Sequence, residues 1–207
     1  MRVTGNMISE QIIQNLNIDL ARLQDVHQQI STTKRINKPS DDPLGAQRVV
    51  NINEALAGVE QYKKNADYVT SWVTASETTL NSVVSIMNRA NTLAIRAAND
   101  ATLTQDQRNT MADEVNSILN RVLELANTAN EGKRIFGGHQ TLAEPFQATM
   151  AGGEVASVAY AGDNGIEQVE VDAGWTVNKN VPGSTVFMPG AGGTDVFASL
   201  INLRDDL

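Results

Sequence analysis

Between Pro43 and Asn99 the chain carries no further proline, and beyond the first turn its only glycine is Gly58. Proline and glycine are the residues that interrupt helices. The stretch therefore predicts a single helix of roughly 55 residues, on the order of 80 Å long at 1.5 Å per residue. A helix of that length is not a globular-core helix. From Tyr62 onward, Ala66, Val69, Val73, Ser76, Leu80, Val83, Met87, Ala90, Ala94 and Ala97 keep a 3-4 spacing with one polar exception, which marks one packing face. Upstream, Ile52, Leu56 and Val59 lead into Tyr62 at 4, 3, 3, a shortened step that overwinds the seam locally.

A second helical pattern precedes it. Over residues 7–33, Ile13, Leu16, Leu20, Leu23, His27 and Ile30 recur at 3, 4, 3, 4, 3 and lie along one stripe. The remaining side chains are mostly Gln, Asn, Asp, Ser and Thr, so the isolated helix buries nothing and is marginal in water. It is expected to be mobile in the monomer and ordered in an assembly, with Ile13, Leu16, Leu20, Leu23 and Ile30 as the assembly seam. A solitary His27 on such a seam reads as a packed or partly solvated residue, not a ligand.

Lys34-Arg35-Ile36-Asn37-Lys38-Pro39-Ser40-Asp41-Asp42-Pro43-Leu44-Gly45-Ala46 separates the two patterns. Pro39 and Pro43 fix their own φ and push Lys38 and Asp42 out of the α region, so the first helix stops here. Ser40, Asp41 and Asp42 offer acceptors to the free amides of the next helix, and Pro43 suits its first position. This is a hinge with built-in capping. Asp41-Asp42 as a cation site or an acid–base pair is the weaker reading, because adjacent carboxylates before a proline serve helix starts.

Asn99 and Asp100 close the long pattern, and Thr104-Gln105-Asp106-Gln107 fits a capping box. Met111, Val115, Ile118, Val122, Leu125 and Ala129 then follow 4, 3, 4, 3, 4, and the short connection predicts antiparallel packing on the long helix. After Gly132 the chain turns rich in Gly, Val and Thr. Ile135-Phe136-Gly137-Gly138 ends the helical region. Val155–Tyr160 and Ile166–Val171 flank Gly162-Asp163-Asn164-Gly165, and Asn164-Gly165 predicts a tight hairpin turn between them. Val177 and Val186-Phe187 suggest further short strands, separated by Pro182-Gly183. A last helix is predicted from Thr194 or Asp195, turning Val196, Leu200 and Leu203 inward. The expected class is mainly α with a small β module: an elongated antiparallel helical bundle or coiled-coil rod plus a β-hairpin-containing domain. Its expected divisions are an amino-terminal heptad helix over 1–33, a hinge over 34–46, a helical rod over 47–132, a small β domain over 133–193, and a helix start over 194–207.

Composition narrows the function. Only 4% of residues are aromatic, which suits helix seams better than a thick core. Sixteen basic and twenty-four acidic side chains give a net charge of −8 and a pI near 4.7, against broad attraction to nucleic acid or an anionic membrane. Lys133-Arg134 is too short a run to change that. No segment reaches the roughly 18 consecutive apolar residues of a spanning helix. Met1-Arg2-Val3-Thr4-Gly5-Asn6-Met7 lacks the layout of a cleaved signal peptide. There is no cysteine, hence no thiolate chemistry or disulfide. His27 and His139 lack metal-site spacing, and Gly190-Ala191-Gly192-Gly193 lacks the Lys-Ser/Thr of a phosphate loop. The residues thus predict no enzyme, no metal and no cofactor.

In order of parts and in particular residues the chain resembles the bacterial flagellin superfamily, above all its hook–filament junction members. Met1-Arg2-Val3-Thr4, the polar heptad helix, Lys34 to Pro43 with its Lys-Pro-Ser-Asp-Asp-Pro wording, and the long helix pair carry the likeness. Ile135-Phe136-Gly137-Gly138, Pro145-Phe146 and Tyr160-Ala161-Gly162-Asp163 carry the rest. The resemblance implies a rod-shaped subunit in a ring of identical subunits on the flagellar axis. It would join the first hook-associated protein to flagellin after passage through the type III export apparatus with an export chaperone, extracellular and without a cleaved signal. In that family a carboxy-terminal helix pairs with the amino-terminal one; none follows residues 195–207, so a fragment of a longer protein or a short member is expected. Two other readings stand beside it: a filament-forming flagellin, and a coiled-coil binding module with a β head.

Overall fold

The computed structural model describes residues 5–99, 103–190 and 192–207. Met1-Arg2-Val3-Thr4 of the family motif, Asp100 of the predicted helix end and Ala191 of the glycine run lie outside them. The chain divides into two compact units, Met1–Glu60 and Gln61–Leu207.

The first unit holds α1, Gly5–Thr32, and the start of α2, Pro43–Asn99. Thr33 at φ 55° ends α1, the left-handed conformation with which many helices stop. No residue from Met7 to Glu60 is buried. Ile52, Leu56 and Val59, the shortened step, are all exposed, so in this unit no packing follows from it.

In the second unit α2 packs against α3, Gln105–Ala126. Arg89 Nε donates to Glu114 Oε1 at 2.7 Å, while Ser82, Ser85 and Ile86 share a groove with Arg121 and Leu125. Rising numbers on one helix meet falling numbers on the other, so the pair is antiparallel. Thr104 starts α3 with the predicted capping box, reciprocated by Gln107. The seams differ from the predicted ones by a fraction of a turn. On α2 the buried positions are Val69, Trp72, Ser76, Thr79, Val83, Ala90 and Leu93, so the predicted Val73, Leu80, Met87 and Ala94 lie to one side and Val73 is exposed. On α3, Leu119 and Ala126 join Met111, Val115, Ile118 and Val122, and Leu125 is only partly buried. Ala129 is not helical.

Three antiparallel ribbons follow. β1, Ala129–Asn130, pairs with β2, Lys133–Arg134; β3, Phe146–Ala151, with β4, Glu154–Tyr160; β5, Gln168–Asp172, with β6, Trp175–Asn178. The mainly helical class with small β-hairpins therefore holds, but the hairpin expected around Asn164-Gly165 does not form. β4 turns back onto β3 through Gly152 and Gly153, both at positive φ, the geometry a two-residue hairpin needs. The 161–167 segment is engaged elsewhere. Asp163 accepts from the amides of His139 and Gly165, and the Tyr160 hydroxyl donates to the carbonyls of Phe136 and Asp163. Val186-Phe187 forms no strand either: it ends a short helix, α4, Gly183–Phe187. α5, Val196–Asp205, starts where the last helix was expected and is capped by Asp195 through the Ala198 amide.

The core closes where these parts meet. Phe136, Phe146, Phe187 and Phe197, each at most 1% exposed, pack ring against ring at centroid distances of 5.2 to 5.9 Å. Leu119, Val122, Val155 and Leu200 enclose them. Leu200 is turned inward, while Val196 and Leu203 are only partly buried. Arg204 fastens α5 by donating to the Val155 carbonyl at 2.8 Å.

Candidate functional site

Within the first unit the hinge is built from two aspartates facing opposite ways. Asp42 precedes α2: its carbonyl accepts from Ala46 N at 2.8 Å, and Oδ1 accepts from Gly45 N at 2.9 Å. Its other oxygen takes Arg35 Nη2 at 3.0 Å. The Gly45 amide first, then the Arg35 guanidinium, hold the Asp42 carboxyl below its ordinary range. Gly45 is constrained by the same contact, since a Cβ there would lie 2.5 Å from Asp42 Oδ2 and 2.6 Å from Ile36 Cδ1.

Asp41 does not cap α2, contrary to the expectation from sequence. Its Oδ2 accepts from the amides of Lys38 at 2.9 Å and Asn37 at 3.1 Å, while its own amide donates to the Lys38 carbonyl at 3.0 Å. It closes the Lys38–Asp41 turn from both ends. The Lys38 and Asn37 amides also lower its pKa. Pro39 and Ser40 form the exposed corner of that turn, and the Ser40 hydroxyl takes no amide of α2. Pro43 occupies the first position of the helix, where a missing N–H costs nothing.

The same unit presents apolar surface without covering it. Ile13, Leu16, Leu20 and Leu23 are each 57% exposed and Ile30 is 70% exposed. Ile8, Ile12 and Val26 extend the same side of α1, and Leu44, Val49 and Val50 are exposed on α2. His27 lies on this face, exposed.

Catalytic geometry is another matter. Among the described residues no group of three or more His, Asp or Glu is placed to hold a metal ion, and no helix is long and apolar enough to cross a membrane. Among the described residues the charged group most completely buried is Lys179, which carries no signal in the sequence. An isolated lysine between two asparagines gives no signal, and its partners Tyr68, Trp72 and Glu167 come from distant parts of the chain.

A long helical hairpin, a capped hinge and an uncovered apolar helix define a helical structural subunit. The chain belongs to the bacterial flagellin family, whose N-terminal helical region matches residues 3–141. It is 30% identical over 188 residues to the flagellar hook-associated protein 3 of Salmonella typhimurium, covering 90% of this chain and 57% of that protein. With a flagellin of Clostridium tyrobutyricum it shares 29% over 128 residues, covering 62% of this chain and 34% of that one. The crystal structure of the flagellar junction protein FlgL from Legionella pneumophila matches with a TM-score of 0.59 at 26% identity, covering 71% of this chain and 43% of that chain. The chain spans about half the length of the hook-associated relatives it matches.

Proposed function

We propose that this chain is a structural subunit of the bacterial flagellum, an adaptor that joins the hook to the filament. The observation that carries the proposal is the uncovered apolar face of α1. A helix that leaves Ile13, Leu16, Leu20, Leu23 and Ile30 in water reaches its stable state when neighbouring subunits cover them. The likeness to hook-associated protein 3 supports the place in the axis. On this reading the subunits form a ring, with the first hook-associated protein on one side and flagellin on the other. The protein reaches the cell exterior through the flagellar type III apparatus with an export chaperone and without a cleaved signal. The turn at Pro39, Ser40, Asp41, Asp42 and Pro43 sets the direction in which α1 leaves α2. The reading assigns the chain no catalytic step.

A filament-forming flagellin is the second reading, favoured by the likeness to the Clostridium tyrobutyricum protein. Immuno-electron microscopy of intact flagella, with antibody against residues 133–193, separates the two. The junction adaptor gives label confined to one band between hook and filament. Label along the whole filament makes the chain a flagellin, and absence from flagella returns the coiled-coil binding module to the front.

A further inference from the structure

The β5–β6 hairpin is attached to the second unit differently from its neighbours. β3 and β4 bury Phe146, Val155 and Val158 in the core, whereas neither β5 nor β6 buries a single side chain. Val169, Val171 and Val177 are only half-buried, and Trp175 next to the turn is 74% exposed. A two-stranded ribbon with no buried face does not hold itself together in water. Something else must fasten it.

That fastening is Lys179, the residue directly after β6. Its side chain is 1% exposed and its ammonium is ion-paired with Glu167. The same nitrogen lies 4.3 Å from the centroid of the Trp72 ring and 5.1 Å from that of Tyr68, and donates to the Tyr68 hydroxyl at 3.2 Å. Burial alone pulls the Lys179 pKa down, but the Glu167 carboxylate and the Tyr68 hydroxyl outweigh it, so the group is held charged. Nearer the turn, Asn65 on α2 donates to the Glu170 carbonyl at 2.7 Å. The base of the hairpin is tied separately: Asn180 accepts from Glu167 N at 2.7 Å and donates to the Gly165 carbonyl at 3.0 Å. A buried ammonium is stable only while its partners surround it. Lys179 and Asn65 thus hold the ribbon to α2, and the buried one of the two ties is made with charge and aromatic faces.

We propose that the β5–β6 hairpin is a latch: it opens from α2 as one piece while the phenylalanine core stays closed, and Lys179 is its catch. Opening uncovers Trp72 on α2, which is otherwise buried beneath the lysine, and frees the half-buried Tyr68 beside it.

Hydrogen exchange on the full chain tests this, comparing the wild type with Lys179→Met. The latch gives hairpin peptides over 166–178 that exchange roughly tenfold faster or more, while α3 peptides over 111–126 keep their wild-type rate. In a Trp175→Phe background Trp72 is the sole tryptophan, and its emission shifts to the red when Lys179→Met is added. Glu167→Gln guards against a variant that does not fold, because it removes one partner and leaves the ammonium with both rings. It gives the same pattern at smaller size. Hairpin peptides unchanged in both variants, or hairpin and α3 accelerated equally in Glu167→Gln, overturn the latch and make the ribbon part of the global folding unit.

Discussion

Arg35 and Asp42 form a 3.0 Å ion pair across the turn that ends one helix and starts the next. Because the other Asp42 oxygen caps α2 through Gly45 N, a single carboxylate couples the exit of α1 to the entry of α2. The two aspartates are therefore not equivalent. Asp42→Ala speeds amide exchange at Gly45 and Ala46, whereas Asp41→Ala speeds it at Asn37 and Lys38 and leaves the first turn of α2 unchanged. Residue-resolved exchange by NMR reads both. Identical profiles for the two variants refute the division of labour.

Acid acts on the same bonds. The folded pKa values of Asp41, Asp42 and Asp163 are lowered by the backbone amides they accept from, with Arg35 adding to the effect at Asp42. A lowered folded value means the unfolded chain binds the proton more readily, so stability rises with pH in that range. The contribution is complete above the usual aspartate value of about 3.9 and is lost as the pH falls through the lower folded values. Amide shifts of Gly45, Lys38 and His139 should titrate with midpoints below that of an unstructured aspartate. Midpoints at or above it contradict the geometry.

Leu119 was absent from the predicted stripe of α3 yet is fully buried beside Val115 and Val122. Leu119→Ala is expected to destabilise the protein by about 2–5 kcal/mol, the range for a buried leucine truncated in a packed core. Urea unfolding followed by circular dichroism measures it. A loss below about 1 kcal/mol shows that the site collapses or is solvated, on the same scale.

Serine at Leu16, Leu20 and Leu23 tests the uncovered face. These side chains are exposed in the chain by itself, so the triple variant changes the thermal stability of the isolated protein by only about 0.5 kcal/mol per site or less. Incorporation into flagella is lost. Full motility of a strain carrying the variant argues against this face as the assembly seam.

The existence of α1, α2, α3 and α5, the Thr104 capping box and the mainly helical class are legible in sequence, because each depends on neighbours within one or two turns. The seams were legible only to within a fraction of a turn. A 3-4 pattern fits two adjacent stripes almost equally well, and on α2 the choice fell to Trp72 and Thr79 because the partner surface lies there. Asn164-Gly165 carried a sound turn signal that Gly152-Gly153 outcompeted, since Asp163 and Tyr160 commit that loop to Phe136 and His139. Phe197 and Lys179 gave no local signal, because their burial depends on residues far away in the chain.

The four phenylalanines at the centre of the second unit come from positions 136, 146, 187 and 197, and this imposes an order in time. A chain made from its amino terminus exposes Phe146 as soon as β3 is formed. Tyr160 of β4 reaches that ring first, but the Phe187 and Phe197 rings join it only when α4 and then α5 have emerged. At about 5–20 residues per second, the interval between residues 146 and 200 lasts seconds, far longer than a hairpin takes to form. The long helices can be complete while the phenylalanine core is still open, and residues 197–200 act as the stopper that closes it.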